Sequence, residues 1–288
     1  MMMLFSRVER DARRMKIWVY SLSLLLVLVA CHKNSSLPRS GEGNNLAAKG
    51  AIKVMTYNIH HANPPSENGK IDMAAIARVI NQEKPDLVAL QEVDIHTERS
   101  GKKLDQAREL ARLTGLKSFF MKALDYQGGE YGIAVLSKLP ILDSAGYLLP
   151  RDPALGGEDR AVASITVQLP GNKKIIFAST HLDLEEGNRL SQAKALIGHF
   201  EKSGLPMVLG GDFNALKGSP VIDLFDRHFT RTCRDDCAPT IPVTNPNRTI
   251  DFIMFKPTSR FKVLNTRVIV EQYASDHLPV VAEMEIVD

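Results

Sequence analysis

The stretch from Val208 to Ala215 ends an apolar run in two glycines, a carboxylate and a carboxamide. Pro206 to Leu209 is typical of a short buried strand, and the glycines allow a sharp turn and a close approach of the backbone. Asp212 and Asn214 flank Phe213, so in an extended chain their side chains point the same way. Two such oxygen-bearing groups suit a divalent cation or a water about to be activated. The alternative is an Asx turn, in which both side chains bond only to nearby backbone amides.

The same pattern recurs, because other apolar runs also end in, or border on, polar side chains. These positions are Asn58, Glu92, His181, Asp251, Asp276 and His277. Polar groups at the ends of parallel or mixed strands can converge on one rim of a sheet, where binding sites of open sheets commonly lie. The recurrence favours a site over a set of unrelated turns.

Strand and helix patterns that could position these residues alternate along most of the chain. The predicted strands are 51–58, 87–93, 117–124, 131–137, 141–149, 161–169, 174–181, 206–209, 249–255, 261–270 and 280–287. Helices are predicted after Asp72, over 104–114 with Gly115 as its C-cap, over 190–200 closed by Gly204, and from Ser219-Pro220. Consecutive strands around a turn at 170–173 indicate antiparallel pairing. We expect a mixed α/β fold of two sheets packed face to face, with helices outside.

The N-terminal segment is separate from this body. Basic residues, the last of them Lys16, precede an apolar run over 17–30, which is too short to span a bilayer comfortably and typical of a signal peptide. Its end, Leu28-Val29-Ala30-Cys31, resembles the bacterial lipoprotein signal, in which the cysteine is lipidated. We therefore expect a signal over 1–30, a flexible tether over 31–49 and one domain over 50–288, with an uncleaved anchor as the alternative.

Removal of the signal changes the charge balance. The whole chain carries 36 Lys and Arg against 33 Asp and Glu, but 31 of each remain after residue 30. A general nucleic-acid binder usually carries a basic face, so the net charge does not favour one. A local basic patch remains compatible with this composition.

Two cysteines remain for the exported body, Cys233 and Cys237. An even pair in an oxidising compartment favours a disulfide across a short loop. A zinc half-site is the weaker alternative, because no second Cys or His pair lies nearby in the sequence.

Seven short motifs occur in an order that resembles the endonuclease/exonuclease/phosphatase superfamily, the fold of deoxyribonuclease I. They are Thr56-Tyr57-Asn58, Leu90-Gln91-Glu92-Val93, Tyr131 to Ser137, Thr180-His181-Leu182, Gly210 to Asn214, Ile250-Asp251-Phe252 and Ser275 to Pro279. The series spans nearly the whole exported body. The resemblance implies a four-layer sandwich that hydrolyses phosphate esters with a divalent metal.

The resemblance also implies a role for each motif residue. Glu92 would be the main Mg²⁺ ligand, with Asn58 beside it and Asp276 completing the cation environment. His277, oriented by Asp251, would contact the phosphate. The implied roles of the others are water activation for Asp212 and Asn214, and phosphate or leaving-group contacts for His181, Tyr131 and Arg160. Mn²⁺ is the alternative ion, and one or two ions would serve.

Several of these residues have simpler interpretations. Glu92 would then only cap a turn, His181 and Tyr131 would be core residues, and Arg160 would be a solvated loop charge. Arg99 lies in a polar loop that could border the pocket, as do His60, His61 and His96, although surface exposure explains them equally well.

We expect a membrane-anchored, extracytoplasmic phosphodiesterase that acts as a monomer on a phospholipid headgroup or small phosphoester. The neutral body and the tether to the membrane through Cys31 favour such substrates. An extracytoplasmic nuclease is the alternative, and an inactive binding module of the same fold is a further one.

Overall fold

The computed structural model describes residues 51–287, so the predicted signal, tether and Cys31 lie outside the described residues. The strands are β1 (Ala51–Asn58), β2 (Leu87–Ile95), β3 (Lys117–Tyr126), β4 (Gly129–Ser137), β5 (Ile141–Leu148), β6 (Ala161–Gln168), β7 (Lys174–His181), β8 (Met207–Asp212), β9 (Thr230–Arg231), β10 (Asp251–Lys256), β11 (Phe261–Val268) and β12 (Val280–Ile286). The helices are α1 (Met73–Glu83), α2 (Gln106–Thr114), α3 (Glu186–Glu201) and α4 (Pro220–His228). Within the described range, no helix is long and apolar enough to cross a bilayer.

Two six-stranded mixed sheets form the body, with strand orders β11-β12-β1-β2-β4-β3 and β5-β6-β7-β8-β10-β9. Each contains one parallel pair joined through a helix, β1 and β2 through α1 and β7 and β8 through α3. The parallel pairs bring Asn58 beside Gln91, and His181 beside Asp212, at the carboxyl ends of the strands. The prediction of two packed mixed sheets is confirmed.

The alternation of side chains along the strands produces four layers. Between the sheets lie apolar residues that include Val54, Ala89, Phe177, Val208 and Ile253. The outer face of the first sheet packs against α1 and α2 through residues such as Tyr57, Leu90, Ile76 and Leu110. The outer face of the second packs against α3 and α4 through residues such as Leu209, Phe213, Phe200 and Phe225. Phe213, between Asp212 and Asn214, is fully buried in this layer.

The paired glycines of β8 mark a close approach and not a turn. Gly210 and Gly211 both lie inside the strand, which continues to Asp212, so the expected sharp turn is absent. A Cβ on Gly210 would lie 2.9 Å from the Cβ of Ala89 in the opposite sheet. On Gly211 it would lie 2.5 Å from the carbonyl oxygen of Thr180. Glycine is needed because a side chain would clash with side chains of the opposite sheet at Gly210 and with the backbone of β7 at Gly211.

Helix boundaries follow the caps where the cap bonds to the helix. Asp72 and Ser219 accept hydrogen bonds from the first turns of α1 and α4, and Gly115 ends α2 with a left-handed φ of 71°. The start of α2 differs from the prediction, because Asp105 caps it and it begins at Gln106. The predicted C-cap of α3, Gly204, is also wrong, because the helix ends at Glu201 with Lys202 as its C-cap.

Candidate active site

Glu92 reaches the rim of the first sheet through a β-bulge in β2. Leu90 pairs with Ala134 and Val93 with Gly132, so β2 holds one extra residue between these pairs. Glu92 adopts a φ of 57°, in a region that non-glycine residues rarely occupy. Bulges re-aim side chains next to active sites. The bulge turns Glu92 towards the cleft, while Gln91 points between the sheets and donates to the Ser179 hydroxyl at 3.0 Å.

Asn58 joins the carboxylates of the two sheets. Its Nδ2 donates to Glu92 Oε1 at 3.0 Å and to Asp212 Oδ2 at 3.1 Å. Its Oδ1 accepts the backbone N–H of His60 at 3.1 Å, which identifies the oxygen end of the amide. In this geometry Asn58 faces the cleft with its donor. It therefore positions two carboxylates beside the predicted cation site.

His277 lies among three carboxylates. Its Nδ1 is 2.9 Å from Asp251 Oδ2, and its Nε2 is 3.7 Å from Asp212 Oδ2. Thr240 donates to Asp251 and helps to fix it. The side chains of His277, Asp251, Asp212 and Thr240 are nearly inaccessible to solvent, whereas that of the third acid, Asp276, is more exposed. The sequence prediction that Asp251 lies against His277 agrees with this geometry.

The buried charges shift one another's pKa values. Burial alone would lower the pKa of His277, but Asp251, Asp212 and Asp276 outweigh it and raise the pKa to about 10. Burial and the nearby Asp251 raise the pKa of Asp212 to about 7, against the opposing effects of His277 and of hydrogen bonds from Asn214 and Asn58. At neutral pH His277 is an imidazolium, and Asp212 is poised to exchange a proton.

The surroundings of His181 are opposite to those of His277, because hydrogen-bond donors and not carboxylates lie closest to both of its ring nitrogens. Arg160 Nη1 lies 3.1 Å from Nδ1, and Asn214 Nδ2 lies 3.1 Å from Nε2. Asp212 Oδ2 is farther from Nε2, at 3.5 Å. Burial, followed by Arg160 and His277, lowers the pKa of His181 well below its usual value. A neutral imidazole can accept only one hydrogen bond at its ring nitrogens, so two donors compete for one lone pair.

Arg160 and Tyr131 add further donors beside His181. The Arg160 side chain is 4% exposed, and its buried Nε has no hydrogen-bond partner in the described part of the chain. Its Nη2 lies 3.1 Å from Glu158. Burial raises the pKa of Tyr131 well above its usual value, and Glu92 adds to the shift, so the hydroxyl keeps its proton. This corner therefore holds more donors than acceptors, as an anion-binding site requires.

Arg99 also lines the cleft, but its charge is already paired. Its Nε and Nη2 contact the buried Asp94 at 2.7 and 2.9 Å. Its guanidinium stacks at 4.5 Å from the ring centre of Tyr126 and at 5.4 Å from that of Tyr131. Asp94 thus holds a planar cation against two aromatic rings at the edge of the cleft.

These residues enclose a cleft of about 390 Å³. Its walls include residues that the sequence patterns did not single out: Leu124, Tyr126, Leu184, Ile241 and Arg248. None of them belongs to a polar strand end, which is the signal that identified the others. Of the loop histidines, His96 is exposed, whereas His60 and His61 lie beside Glu92.

A divalent cation is the cofactor that the donor set accommodates. Glu92 is half-buried, and only one of its carboxylate oxygens has a hydrogen-bond partner among the described residues. The Asp276 side chain is 38% exposed and lies 4.0 Å from His60 Nδ1. Carboxylate oxygens that remain accessible to water suit Mg²⁺, which keeps part of its hydration. Asp212 and Asp251 are less suitable ligands, because they are buried and His277 lies 3.7 and 2.9 Å from their carboxylate oxygens.

Cys233 and Cys237 form a disulfide in the structure. Thr249 donates through its hydroxyl to the carbonyl oxygen of Cys237 at 3.2 Å. Since Thr249 lies two residues before Asp251, the disulfide loop supports the segment that enters β10. This contact links the cysteine pair to the acidic side of the cleft.

Comparison with known proteins identifies the family. The sequence model of the Endonuclease/Exonuclease/phosphatase family matches residues 55–277. No curated protein sequence gives a significant match. Among solved structures, an endonuclease/exonuclease/phosphatase from Beutenbergia cavernae DSM 12333 has 26% identity and a TM-score of 0.69, over 82% of this chain and 72% of that one.

Two further structures of similar fold have named activities or ligands. The mannosyl-6-phosphatase of Bacteroides thetaiotaomicron VPI-5482 has 18% identity and a TM-score of 0.67, over 82% of this chain and all of that one (100%). The human Nocturnin catalytic domain with bound sulfate anion has 20% identity and a TM-score of 0.66, over 82% and 95% of the two chains. At these identities the likeness concerns the fold.

Proposed function

Since the chain belongs to the endonuclease/exonuclease/phosphatase family and is a phosphoester hydrolase, we propose that it cleaves a small phosphodiester or a phospholipid headgroup with Mg²⁺. The observation that carries the proposal is the division of the cleft. The cleft is lined by the carboxylates of Glu92 and Asp212 and by the donors of the buried Arg160 and the half-buried Asn214. Asp276 lies close to this lining, 4.0 Å from His60 Nδ1. A phosphate bound between a cation and these donors would satisfy both sets of groups.

The surroundings of each residue support a specific part in hydrolysis. Asp212, with a pKa of about 7, can take a proton from the attacking water. His277 can donate from its imidazolium, and Arg160 from its unpartnered Nε, to the phosphate oxygens. Glu92 and Asp276 would hold the cation, which when bound stabilises negative charge on those oxygens.

The size and composition of the cleft favour a small substrate over a nucleic acid. A volume of about 390 Å³ suits a headgroup or small ester. Leu184 lies at the wall with 68% of its surface exposed and could contact an apolar substituent. The exported body has no net charge, whereas a general nucleic-acid binder usually carries a basic face. A nuclease remains the second candidate, because Arg99 and Arg248 at the cleft could contact a longer phosphate chain.

The proposal extends to location. The Leu28-Val29-Ala30-Cys31 sequence supports a lipid anchor on the extracytoplasmic side of a bacterial membrane. Labelled fatty acid should be incorporated into the wild type but not into Cys31→Ser, which should appear in the soluble fraction. Equal labelling of both proteins would contradict the anchor.

The test of activity compares substrates at one salt concentration with and without EDTA. The full-length protein in detergent should hydrolyse bis(p-nitrophenyl) phosphate or phospholipid vesicles, lose activity with EDTA and regain it with Mg²⁺. Glu92→Gln and His277→Ala should each lower kcat/KM by at least about 10²-fold, because each removes electrostatic stabilisation of the phosphate.

Exposed residues provide matched controls for these variants. Glu98→Gln and His199→Ala make the same chemical changes at exposed positions and should retain activity. Faster cleavage of plasmid DNA than of the small diesters would favour the nuclease. Unchanged turnover in both Glu92→Gln and His277→Ala would contradict the assigned site.

A further inference from the structure

The loop after β1 carries two adjacent histidines on an unusual backbone. His60, His61 and Ala62 have φ angles of 45°, 43° and 59°. Non-glycine residues rarely adopt such angles, and backbone strain of this kind concentrates where side chains must be held in fixed directions. One ring nitrogen of each histidine and one carboxylate oxygen of Glu92 lie within 4.8 Å of one another.

The hydrogen bond of His60 leaves a ring nitrogen free. Its Nδ1 lies 2.9 Å from the backbone carbonyl oxygen of Asn63, which can only accept a hydrogen bond. Nδ1 therefore carries the proton, and Nε2 keeps its lone pair. A backbone carbonyl bonded to one ring nitrogen is the usual arrangement for a histidine that binds a metal through the other. Asn63 is itself held by bonds from its Nδ2 to the carbonyl oxygens of Glu67 and Lys70.

His61 has an unused polar atom at the same place. Its Nδ1 is buried and has no hydrogen-bond partner within residues 51–287. A buried polar atom without a partner is unfavourable, and a bound ion would remove that cost. Gln106 Nε2 donates to the His61 carbonyl oxygen at 2.7 Å and fixes the backbone. The two imidazoles meet edge to face, with ring centres 4.5 Å apart, so their nitrogens can approach one point from two directions.

The local charges permit a cation there. Glu92 is bonded to Asn58 through one carboxylate oxygen, which leaves the other available. The Asp276 carboxylate lies 4.0 Å from His60 and adds negative charge. Arg99 is the nearby positive group, and the two short contacts to Asp94 compensate its charge.

We propose that His60, His61 and Glu92 form a second cation site, distinct from the oxygen-lined Mg²⁺ site and sharing Glu92 with it. Two imidazoles and one carboxylate match Zn²⁺ and related transition-metal ions, whereas Mg²⁺ prefers oxygen ligands. Because both ions use Glu92, binding at either site changes the affinity of the other by the same factor. The coupling rests on the proposed function, whereas binding of a transition metal by the two histidines does not.

Co²⁺ is a suitable probe, because nitrogen ligands and a low coordination number give it a distinctive visible spectrum. The full-length protein in detergent would be titrated with Co²⁺ in saturating Mg²⁺, and then with Zn²⁺ in competition. We expect one Co²⁺ per chain that Zn²⁺ displaces. His60→Ala and His61→Ala should each weaken binding by at least about 10-fold, since each removes a ligand. His96→Ala, at an exposed histidine in the next loop, should bind as the wild type does.

Thermal melting separates loss of a ligand from loss of the fold. The variants should melt like the wild type in EDTA, while Zn²⁺ should raise the melting temperature of the wild type only. If His61→Ala fails to fold, His60→Gln makes the same test at the better hydrogen-bonded residue. Co²⁺ binding that is unchanged in the histidine variants, or a wild-type spectrum of the hydrated ion, would overturn the second site. Absence of EDTA-sensitive hydrolysis would instead overturn the proposed function, because Co²⁺ binding needs no turnover.

Discussion

His181 and His277 face the same cleft, but their neighbours are opposite in chemical character. Carboxylates surround His277 and raise its pKa to about 10. Arg160 and Asn214 surround His181 with donors, and its pKa falls well below the usual value. Both side chains are almost completely buried. Burial lowers the pKa of both histidines, and it prevails at His181, where Arg160 acts in the same direction, but not at His277, where three carboxylates oppose it.

The difference assigns the two halves of the cleft to different tasks. The His277 half holds an imidazolium together with carboxylates and can move protons. The His181 half has Arg160 Nε, which lacks a partner among the described residues, and two donors that compete for one lone pair, and an anionic phosphate oxygen could accept from any of them. A substrate phosphate that accepts from Arg160 or Asn214 would also end the competition for the single lone pair of His181. The following substitutions test this division, beginning with the largest expected effect.

Asp251→Asn should remove the carboxylate that contributes most to the raised pKa of His277. Burial would then lower the pKa of His277 with only Asp212 and Asp276 opposing it, so the imidazolium would be lost at a lower pH. We expect kcat/KM at pH 7 to fall by about 10²-fold. The alkaline limb of the pH profile should also move to lower pH.

Asp235→Asn is the control for this change, since Asp235 is exposed and pairs with Lys217. Its pH profile should match that of the wild type. An alkaline limb that stays in place in Asp251→Asn would show that His277 does not owe its charge to Asp251.

Arg160→Gln should weaken binding of the substrate phosphate at the donor-rich half of the cleft, around His181. Loss of a charged hydrogen bond costs about 1.5–3 kcal/mol, so we expect KM to rise by roughly 10- to 100-fold with a smaller change in kcat. Removal of the cation should also raise the pKa of His181, which NMR titration of its ring protons can follow. Arg160→Lys keeps the charge but not the planar fork, and should recover only part of the loss. An unchanged KM in Arg160→Gln would remove Arg160 from substrate binding.

Asp212→Asn should stabilise the protein at neutral and alkaline pH. The raised pKa means that folded Asp212 keeps its proton between its usual value of 3.8 and about 7, where the unfolded chain has released it. The free energy of unfolding therefore falls as pH rises through that window, and asparagine avoids the loss. We expect a higher melting temperature than the wild type at pH 8, by on the order of 2–4 °C for each kcal/mol regained.

At pH 4 the difference in melting temperature between Asp212→Asn and the wild type should nearly disappear. Asp235→Asn should show no such gain at pH 8, because Lys217 lowers the pKa of Asp235 and its charge is favourable in the folded state. Equal melting of Asp212→Asn and the wild type at both pH values would contradict the burial of an unfavourable charge.

Sequence patterns predicted the elements and most of the polar residues at the rim. The side chains of Asp72 and Ser219 cap their helices, and apolar runs became strands that end at Asn58, His181 and Asp212. These signals are local, because capping and side-chain alternation depend on residues a few positions apart. They located His277 and Asp251 as candidates, whereas the family resemblance, and no local signal, implied the contact that the structure shows at 2.9 Å.

The sequence alone determined which side chains could take part, through their types and their positions at strand ends. Only the tertiary structure decided what each one does there. The bond of Asn58 to Asp212 joins residues 154 positions apart, and it turns the amide nitrogen, not the oxygen, towards the carboxylates. The bulge at Glu92 and the opposite pKa shifts of two histidines likewise depend on which groups the two sheets bring together. Charge and hydrogen bonding act over a few ångströms of space, whatever the separation along the chain.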